Sequence, residues 1–330
     1  MQLYIDTIHT KLSVKNGTFL ISNKSTKRLI SPRRVTSIAI LTNVLINSAA
    51  IKLAAKSEIP IFYFDRTGNL ITQLRGPSFL KQSRLRYQQI LFMHSDHGKS
   101  WVIEQLGLKT DLQSQSLKRY ANDLTDVKPR LEELSGLMQK NKIQLLETDF
   151  NQLNLSNTLM GIEGGIARLY FQGLNLILPE MYRFQKRSRQ PAKDYFNASL
   201  NYLYGITYGE ITKAIHATGL DTFVGALHKT PYKENLVFDC IESFRPIVDR
   251  LLIEICREEL LNDTHFKVVK NGIWLSRSGK RRIIEKYNEY LHQRIRFQGK
   301  VRTIQHHMYA HVKDLKERIN NFEAHVPDHL

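Results

Sequence analysis

The sequence predicts an α+β fold, with a β-rich N-terminal domain over residues 1–78 and a larger helical domain over residues 79–330. Three observations predict it. The first 75 residues set β-branched and aromatic runs between turn signals. The texture changes at Gly76-Pro77. From Phe79 onward, apolar residues recur three and four positions apart.

The elements follow in order. "MQLYIDTIHTKLSVKNGTFLIS" carries strand-forming runs broken by Asn16-Gly17, a hairpin signal. "VTSIAILT" and "IPIFYFDRTGNLITQL" read as further strands, the latter folded at Arg66-Thr67-Gly68-Asn69. Between them "NSAAIKLAAKS" reads as a short helix capped by Asn47 or Ser48. Beyond the boundary, helices are expected over about 79–95, 100–106, 113–147, 156–178, 192–217, 237–260 and 300–323. "DTHFKVVKNGIWLSR" is either a two-stranded ribbon or an extended excursion. The run "SRSGKRRIIEKY" (276–287) reads as a basic, solvated surface, and the last residues, "AHVPDHL", as a frayed end. The chain shows no internal repeat and no low-complexity tract.

Composition narrows the functional class. Of 330 residues 42% are hydrophobic and 24% charged, as in a soluble globular protein. Lys and Arg number 48 against 31 Asp and Glu, a formal charge of +17 that argues for an anionic partner, with nucleic acid the first candidate. Cys240 and Cys256 have neither a disulfide framework nor zinc spacing, so they read as buried free thiols of a cytoplasmic protein. The N-terminus lacks the basic and apolar regions of a signal peptide. No run of 18 apolar residues suggests a membrane span.

Three places carry candidate chemistry. In "LHKTPYKENLVFDCIESFRPIVDRLL", His228 precedes Asp239 and Glu242, with Pro246 four residues after the second acid. Val237, Ile241, Phe244, Val248, Leu251 and Ile255 form an apolar stripe, and both acids lie roughly opposite it. On that pattern they read first as solvated acids near a helix N-terminus. Pro246, however, deprives the Glu242 carbonyl of its helical partner and predicts a kink on the acids' own face. In "SNTLMGIEGGIARLYFQGL", Glu163 stands at the edge of a stripe made by Leu159, Ile162, Ile166, Leu169 and Tyr170. A carboxylate there must be paired, protonated or metal-bound, and pairing with an arginine explains it equally well. Gly161, Gly164 and Gly165 each cost the helix roughly 1 kcal/mol relative to Ala, which suits close approach of another backbone or of a nucleic acid strand. A buried-edge Glu, a His and an i,i+3 acid pair would together suit Mn²⁺ or Mg²⁺ better than structural zinc.

The third place is "KRSRQPAKDYFNASLNYLYGITYGE". Lys186, Arg187, Arg189 and Lys193 crowd the approach to a helix, so Arg187 and Arg189 are candidate DNA contacts. Asn197, Asn201, Tyr204 and Tyr208 lie along one ridge of that helix and read mainly as groups satisfied between packed elements. Lys229 and Arg245, beside the acids, are further candidate DNA contacts, with pairing to an acid of its own helix the plainer role for Arg245.

With these residues in view, the chain resembles the catalytic integrase subunit of the CRISPR adaptation complex. The resemblance runs nearly end to end. It rests on "IPIFYFDRTGNL", "GIEGGIARLYF", "RSRQPAKDYFNASLNYLYGI" and, most specifically, "GLDTFVGALHKTPYKENLVFDCIESFRPIVDRL". It implies a β-sandwich-like N-terminal domain followed by an all-α catalytic domain. It implies metal ligation by Glu163, His228 and Glu242, with Asp239 as a supporting catalytic acid, and Mn²⁺ or Mg²⁺ as the ion. The implied activity is a metal-dependent DNA endonuclease-integrase of antiviral defence, which inserts short DNA fragments into a repeat array by 3′-OH transesterification. The alternative is a general metal-dependent nuclease acting on branched or damaged DNA. The implied partners are double-stranded DNA (fragment and repeat), a second copy of the chain and a small ferredoxin-like adaptation protein. The linker "KTPYKEN" lacks the Gly or Ser common at that point of the family, a departure in a loop.

Overall fold

The computed structural model describes residues 2–64, 70–76, 82–151, 154–189 and 191–323. The chain divides into two compact units, one running to Arg86 and one from Tyr87 onward. The boundary expected at residues 78 and 79, the turn at Arg66-Thr67-Gly68-Asn69 and the end of the chain from residue 324 lie outside the described residues.

The first unit holds strands β1 (Gln2–Ile5), β2 (Lys11–Lys15), β3 (Thr18–Ser22), β4 (Lys27–Ile30), β5 (Ser37–Ile40), β6 (Leu45–Ile46), β7 (Ile61–Phe64) and β8 (Leu70–Leu74), with helix α1 (Ser48–Lys56). They form two four-stranded sheets, ordered β1-β5-β7-β8 and β4-β3-β2-β6. Asn16 and Gly17 join β2 to β3 with φ of 51° and 70°, the left-handed pair a two-residue hairpin needs. Of the two cap candidates for α1 it is Asn47 that acts, its side chain accepting from the Ala50 N–H at 2.9 Å. Both sheets and α1 share one core. Leu3, Ile38, Ile40 and Ile61 come from the first sheet, Leu12, Phe19 and Ile30 from the second, and Ala50 and Ala54 from the helix. Two sheets closing on one apolar layer give the sandwich-like arrangement.

Beyond it run helices α2 (Ser83–His94), α3 (Asp96–Asp123), α4 (Lys128–Leu146), α5 (Leu155–Ile177), α6 (Tyr195–Thr218), α7 (Asn235–Ile241), α8 (Arg245–Arg257), α9 (Arg277–Leu291) and α10 (Ile304–Asn320). Among the described residues no helix is long and apolar enough to cross a membrane. The α+β class holds, and the helical unit also carries two antiparallel ribbons, β9–β10 (Phe266–Val269, Gly272–Leu275) and β11–β12 (Arg294–Phe297, Lys300–Thr303). The first settles "DTHFKVVKNGIWLSR" as a ribbon.

Several expected boundaries are corrected. The gap expected between 106 and 113 does not exist, because α3 runs unbroken through Gly107, which leaves room for Lys142 and Leu146 of α4. The single helix expected over 113–147 breaks at residues 124–127, since Pro129 has no N–H to continue it and starts α4 instead. The helix expected from residue 300 begins at Ile304, where Thr303 caps it. The basic run at 276–287 is a helix, α9. Ser276 caps it, and it buries Ile283, Tyr287 and Tyr290 while exposing Arg281 and Arg282. Among the described residues no other backbone lies within 4 Å of an added Cβ at Gly161 or Gly164, so close approach of another protein backbone does not account for them. The tight contact is Gly173, where an added Cβ would lie 2.7 Å from Leu117 of α3. Cys240 and Cys256 are free and buried, and burial pushes both thiols up from their ordinary pKa.

Candidate functional site

The site is assembled around a broken helix. α6 ends at Gly219, left-handed at φ 83°, and the following loop returns to α7. There Asp239 is 2% exposed, and both of its oxygens are engaged. Oδ2 accepts from the backbone N–H of Ala226 at 2.7 Å and of Leu227 at 3.2 Å. Oδ1 accepts from the His228 N–H at 3.1 Å and from its ring Nδ1 at 2.7 Å. A carboxylate only accepts, so Nδ1 carries a proton, and the ring in its neutral form has its lone pair on Nε2. Gly225 makes this possible: a Cβ there would sit 2.6 Å from Asp239 Oδ2.

α7 stops at Ile241. Glu242, Ser243 and Phe244 form a single 3₁₀ turn, and α8 restarts at Arg245 with Pro246 in its first turn. This is the expected kink, caused by the missing Pro246 N–H. The reading of Asp239 and Glu242 as solvated acids is overturned, since Glu242 is only 4% exposed. The loop before α7 covers one side, with the Leu236 N–H bonded to the Thr222 carbonyl, and α3 packs against the 3₁₀ turn on another.

Inside that cover, Lys109 of α3 lies between two acids. Its Nζ donates to Glu242 Oε2 at 2.7 Å and to Oε1 of Glu163 on α5. Arg245 meets the other oxygen of Glu242 at 3.2 Å, donates to the Tyr208 hydroxyl at 3.1 Å and stacks over the Tyr204 ring. Burial pushes the Glu242 carboxyl up, but Arg245 and Lys109 outweigh it and hold it down at about 2. Burial works against the Lys109 ammonium, yet Glu163 and Glu242 raise its pKa overall. Two acids and two bases therefore form a locally balanced, charged cluster, the condition under which buried charge is tolerated.

Glu163 is less covered, with 27% of its side chain exposed, and it opens onto a cavity of about 1160 Å³. Among the described residues, seven cations line that cavity (Lys109, Arg130, Arg168, Lys186, Arg187, Arg189 and Arg245) against the single carboxylate of Glu163. Gly164 lies on its wall. So do Asn201, Tyr204 and Tyr208. The polar ridge of α6 is satisfied by packing, as expected. Asn197 binds Arg187 and the backbone at Ser188, Asn201 binds the carbonyls of Ser188 and Arg189, and Tyr204 donates to Asp249 at 2.6 Å. Asp249 is fully buried, and burial raises its carboxyl to about 6.

The four expected DNA contacts separate. Arg187, Arg189 and Arg245 line the large cavity, and Arg245 also pairs with Glu242. Lys229 is exposed on a different cavity of about 350 Å³. Of the expected ligands, Glu163 and Glu242 converge on one cation, and His228 is near enough that its ring, when charged, adds to the pull on the Glu242 carboxyl. Among the described residues, no three His, Cys, Asp or Glu side chains close into a ready cage for an ion. Lys109 occupies the gap. Sequence reasoning missed it, along with Gln113, Asp249 and Gly225. A signal existed: Val102, Leu106, Lys109, Gln113 and Leu117 share one helical stripe, and all five are buried.

Fold and site together define a class: a strongly basic α+β protein whose helical unit sets buried acids and a held imidazole beside a cation-lined cavity, as suits a polyanionic partner. More particularly, the chain belongs to the family described as CRISPR associated protein Cas1, whose family model matches residues 3–289. It is 28% identical over 321 residues to a CRISPR-associated endonuclease Cas1 of Nanoarchaeum equitans, covering 95% of this chain and 94% of that protein. Its fold is similar to a casposase bound to integration product (TM-score 0.74, 21% identity, 98% of this chain and 92% of that one). It is also similar to a chain of a partial Cas6-RT-Cas1–Cas2 complex (TM-score 0.70, 21% identity, 97% and 96%).

Proposed function

We propose that this chain is a divalent-metal-dependent DNA endonuclease-integrase that joins short DNA fragments into a CRISPR repeat. One observation carries the reading: Glu163 and Glu242 turn onto a single cation position beside a cavity lined, among the described residues, by seven cations and one carboxylate. Family membership supplies the setting, and the relative named as an endonuclease and the casposase on its integration product fit the same chemistry.

The donor set fits a hard divalent ion. Two carboxylates already face one positive charge, and Asp239 leaves His228 a free Nε2, so Glu163, His228 and Glu242 would hold Mn²⁺ or Mg²⁺. When bound, the ion supplies Lewis acidity at the phosphoryl group, which stabilises charge on the attacking and leaving oxygens. The chain's own residues do the rest. Asp239 fixes the imidazole through two bonds to His228 and two more to the preceding backbone. Arg187, Arg189 and Arg245 neutralise phosphates of a strand lying in the cavity. In the transfer itself, a fragment's 3′-oxygen forms a bond to phosphorus as the repeat's P–O bond breaks, with the proton leaving the attacking hydroxyl and the departing oxygen gaining one. Double-stranded DNA, a second copy of the chain and a small ferredoxin-like partner are the proposed companions, and the fold neighbour seen in a complex with Cas2 is consistent with the last.

The test is strand transfer of a short fluorescent duplex into a supercoiled plasmid carrying a leader and repeat, with Mn²⁺ and the small partner protein. Covalent joining by the wild type and its loss in folded His228→Ala and Glu242→Ala variants are expected. Nicking without joining would favour the general nuclease. Undiminished joining by both variants would refute the site.

A further inference from the structure

The carboxylates of the proposed metal site already hold a positive charge of the chain's own. Lys109 Nζ donates to Glu163 Oε1 and, at 2.7 Å, to Glu242 Oε2, and the lysine is 4% exposed. Two carboxylates that both reach one ammonium are also arranged to reach one divalent ion, whose bonds to oxygen are shorter still, at about 2.0–2.1 Å for Mg²⁺. The ammonium and the ion cannot share that position, because unit charges of like sign at such separations repel strongly in a protein interior. Loading therefore requires Lys109 to withdraw.

The structure offers it a destination. Gln113 lies one helical turn further along α3, on the same face, and lines the same cavity. It is 2% exposed, and among the described residues its Oε1 has no hydrogen-bond partner. A buried amide oxygen without a donor is a costly feature that a nearby ammonium would relieve. Apart from Glu163, the charged groups described on the cavity wall are all cations, so the released charge is accepted there best in company with a polyanion.

On the strength of the metal-site reading above, we propose that Lys109 is the resident counter-cation of the site, exchanged for the divalent ion on loading. In the metal-free protein it keeps Glu163 and Glu242 apposed. On loading it swings into the cavity, where Gln113 Oε1 or a DNA phosphate receives its ammonium. Lys109 is thus a positioning residue that couples metal loading to nucleic-acid binding. Two consequences separate this role from a static ion pair. Removing the ammonium spares the ion a competitor, so Lys109→Met binds Mn²⁺ about 10- to 100-fold more tightly, the worth of one displaced charged hydrogen bond. The same variant is less stable than the wild type without metal, and the deficit closes when metal is saturating.

The experiment is calorimetric titration of the full chain with Mn²⁺, paired with thermal melts in EDTA and in saturating Mn²⁺, for wild type, K109M, K109R and E242Q. K109R keeps a cation whose fork holds both carboxylates more firmly, so it is expected to bind Mn²⁺ several-fold more weakly than wild type. It decides the matter should K109M fail to fold. Tighter binding by K109M, weaker binding by K109R and loss of binding by E242Q are the expected pattern. If E242Q abolishes binding while K109M or K109R binds as the wild type does, the exchange is refuted and the metal site stands. If neither wild type nor K109M shows Mn²⁺ binding sensitive to E242Q, the metal-site reading itself falls, and the exchange with it.

Discussion

Gly225→Ala tests the positioning of His228 without replacing any charged group. A Cβ at residue 225 would lie 2.6 Å from Asp239 Oδ2, some 0.8 Å inside ordinary van der Waals contact, and 2.8 Å from the Asn235 carbonyl carbon. The second neighbour is backbone at the start of α7 and cannot swing away. Asp239 must yield instead, which stretches the bonds that Oδ2 accepts from Ala226 and Leu227, now 2.7 and 3.2 Å. Losing one charged hydrogen bond costs about 1.5–3 kcal/mol and overpacking a core about 1–3 kcal/mol, so the variant is expected to lose about 3 kcal/mol. For a unit of this size that is a fall of roughly 6–12 °C in Tm. Thermal and urea unfolding followed by helical circular dichroism measure it. Gly136→Ala is the control. It lies within α4 with nothing within 4 Å of an added Cβ, and should gain about 0.5–1 kcal/mol. A Gly225→Ala stability within about 0.5 kcal/mol of wild type would refute the reasoning, because ordinary surface substitutions move stability no further than that.

Other predictions follow from the buried charges. Glu242 is held down at about 2 from an ordinary 4.5, so its contribution is present above pH 4.5 and lost as pH falls toward 2. That contribution is about 3 kcal/mol, about 2 of it gone by pH 3, and urea titrations of wild type against Glu242→Gln in EDTA should show the gap between them shrinking by that amount. Asp249 has the opposite sign. Raised from 3.8 to about 6, it favours the fold when protonated and costs stability as pH rises through 6. Asp249→Asn, which can still accept from Tyr204, should therefore gain on the wild type by about 2 kcal/mol between pH 4 and 7.5; a constant difference across that range would contradict the assignment. DNA binding through the cavity should weaken steeply with salt, and replacing Arg189 by Ala should flatten the slope of log affinity against log salt by about one, measurable by fluorescence anisotropy.

How much of this was legible in the sequence depends on the range of the interaction. Local signals read well: the Asn16-Gly17 hairpin, the Asn47 cap and the interruption before Pro246 each depend on residues a few positions apart. The burial of Asp239 and Glu242 was not legible from their own helix. The wheel sees only the stripe that faces the core, while the second cover comes from the loop before α7 and from α3, far away in sequence. Lys109 escaped for the same reason in reverse. Its partners lie 54 and 133 residues away, and only its place on an otherwise uncharged buried stripe marked it. The ligand assignment for Glu163, His228 and Glu242 came from the family resemblance and is the proposal made above.

The measurement that bears most directly on that assignment is a crystal of the protein grown with Mn²⁺ and an anomalous difference map at the manganese edge. One peak bonded to Glu163, to His228 Nε2 and to Glu242, with Lys109 moved off both carboxylates, is the predicted result. A peak held by other side chains, or Lys109 still bridging Glu163 and Glu242 with no manganese between them, would contradict it.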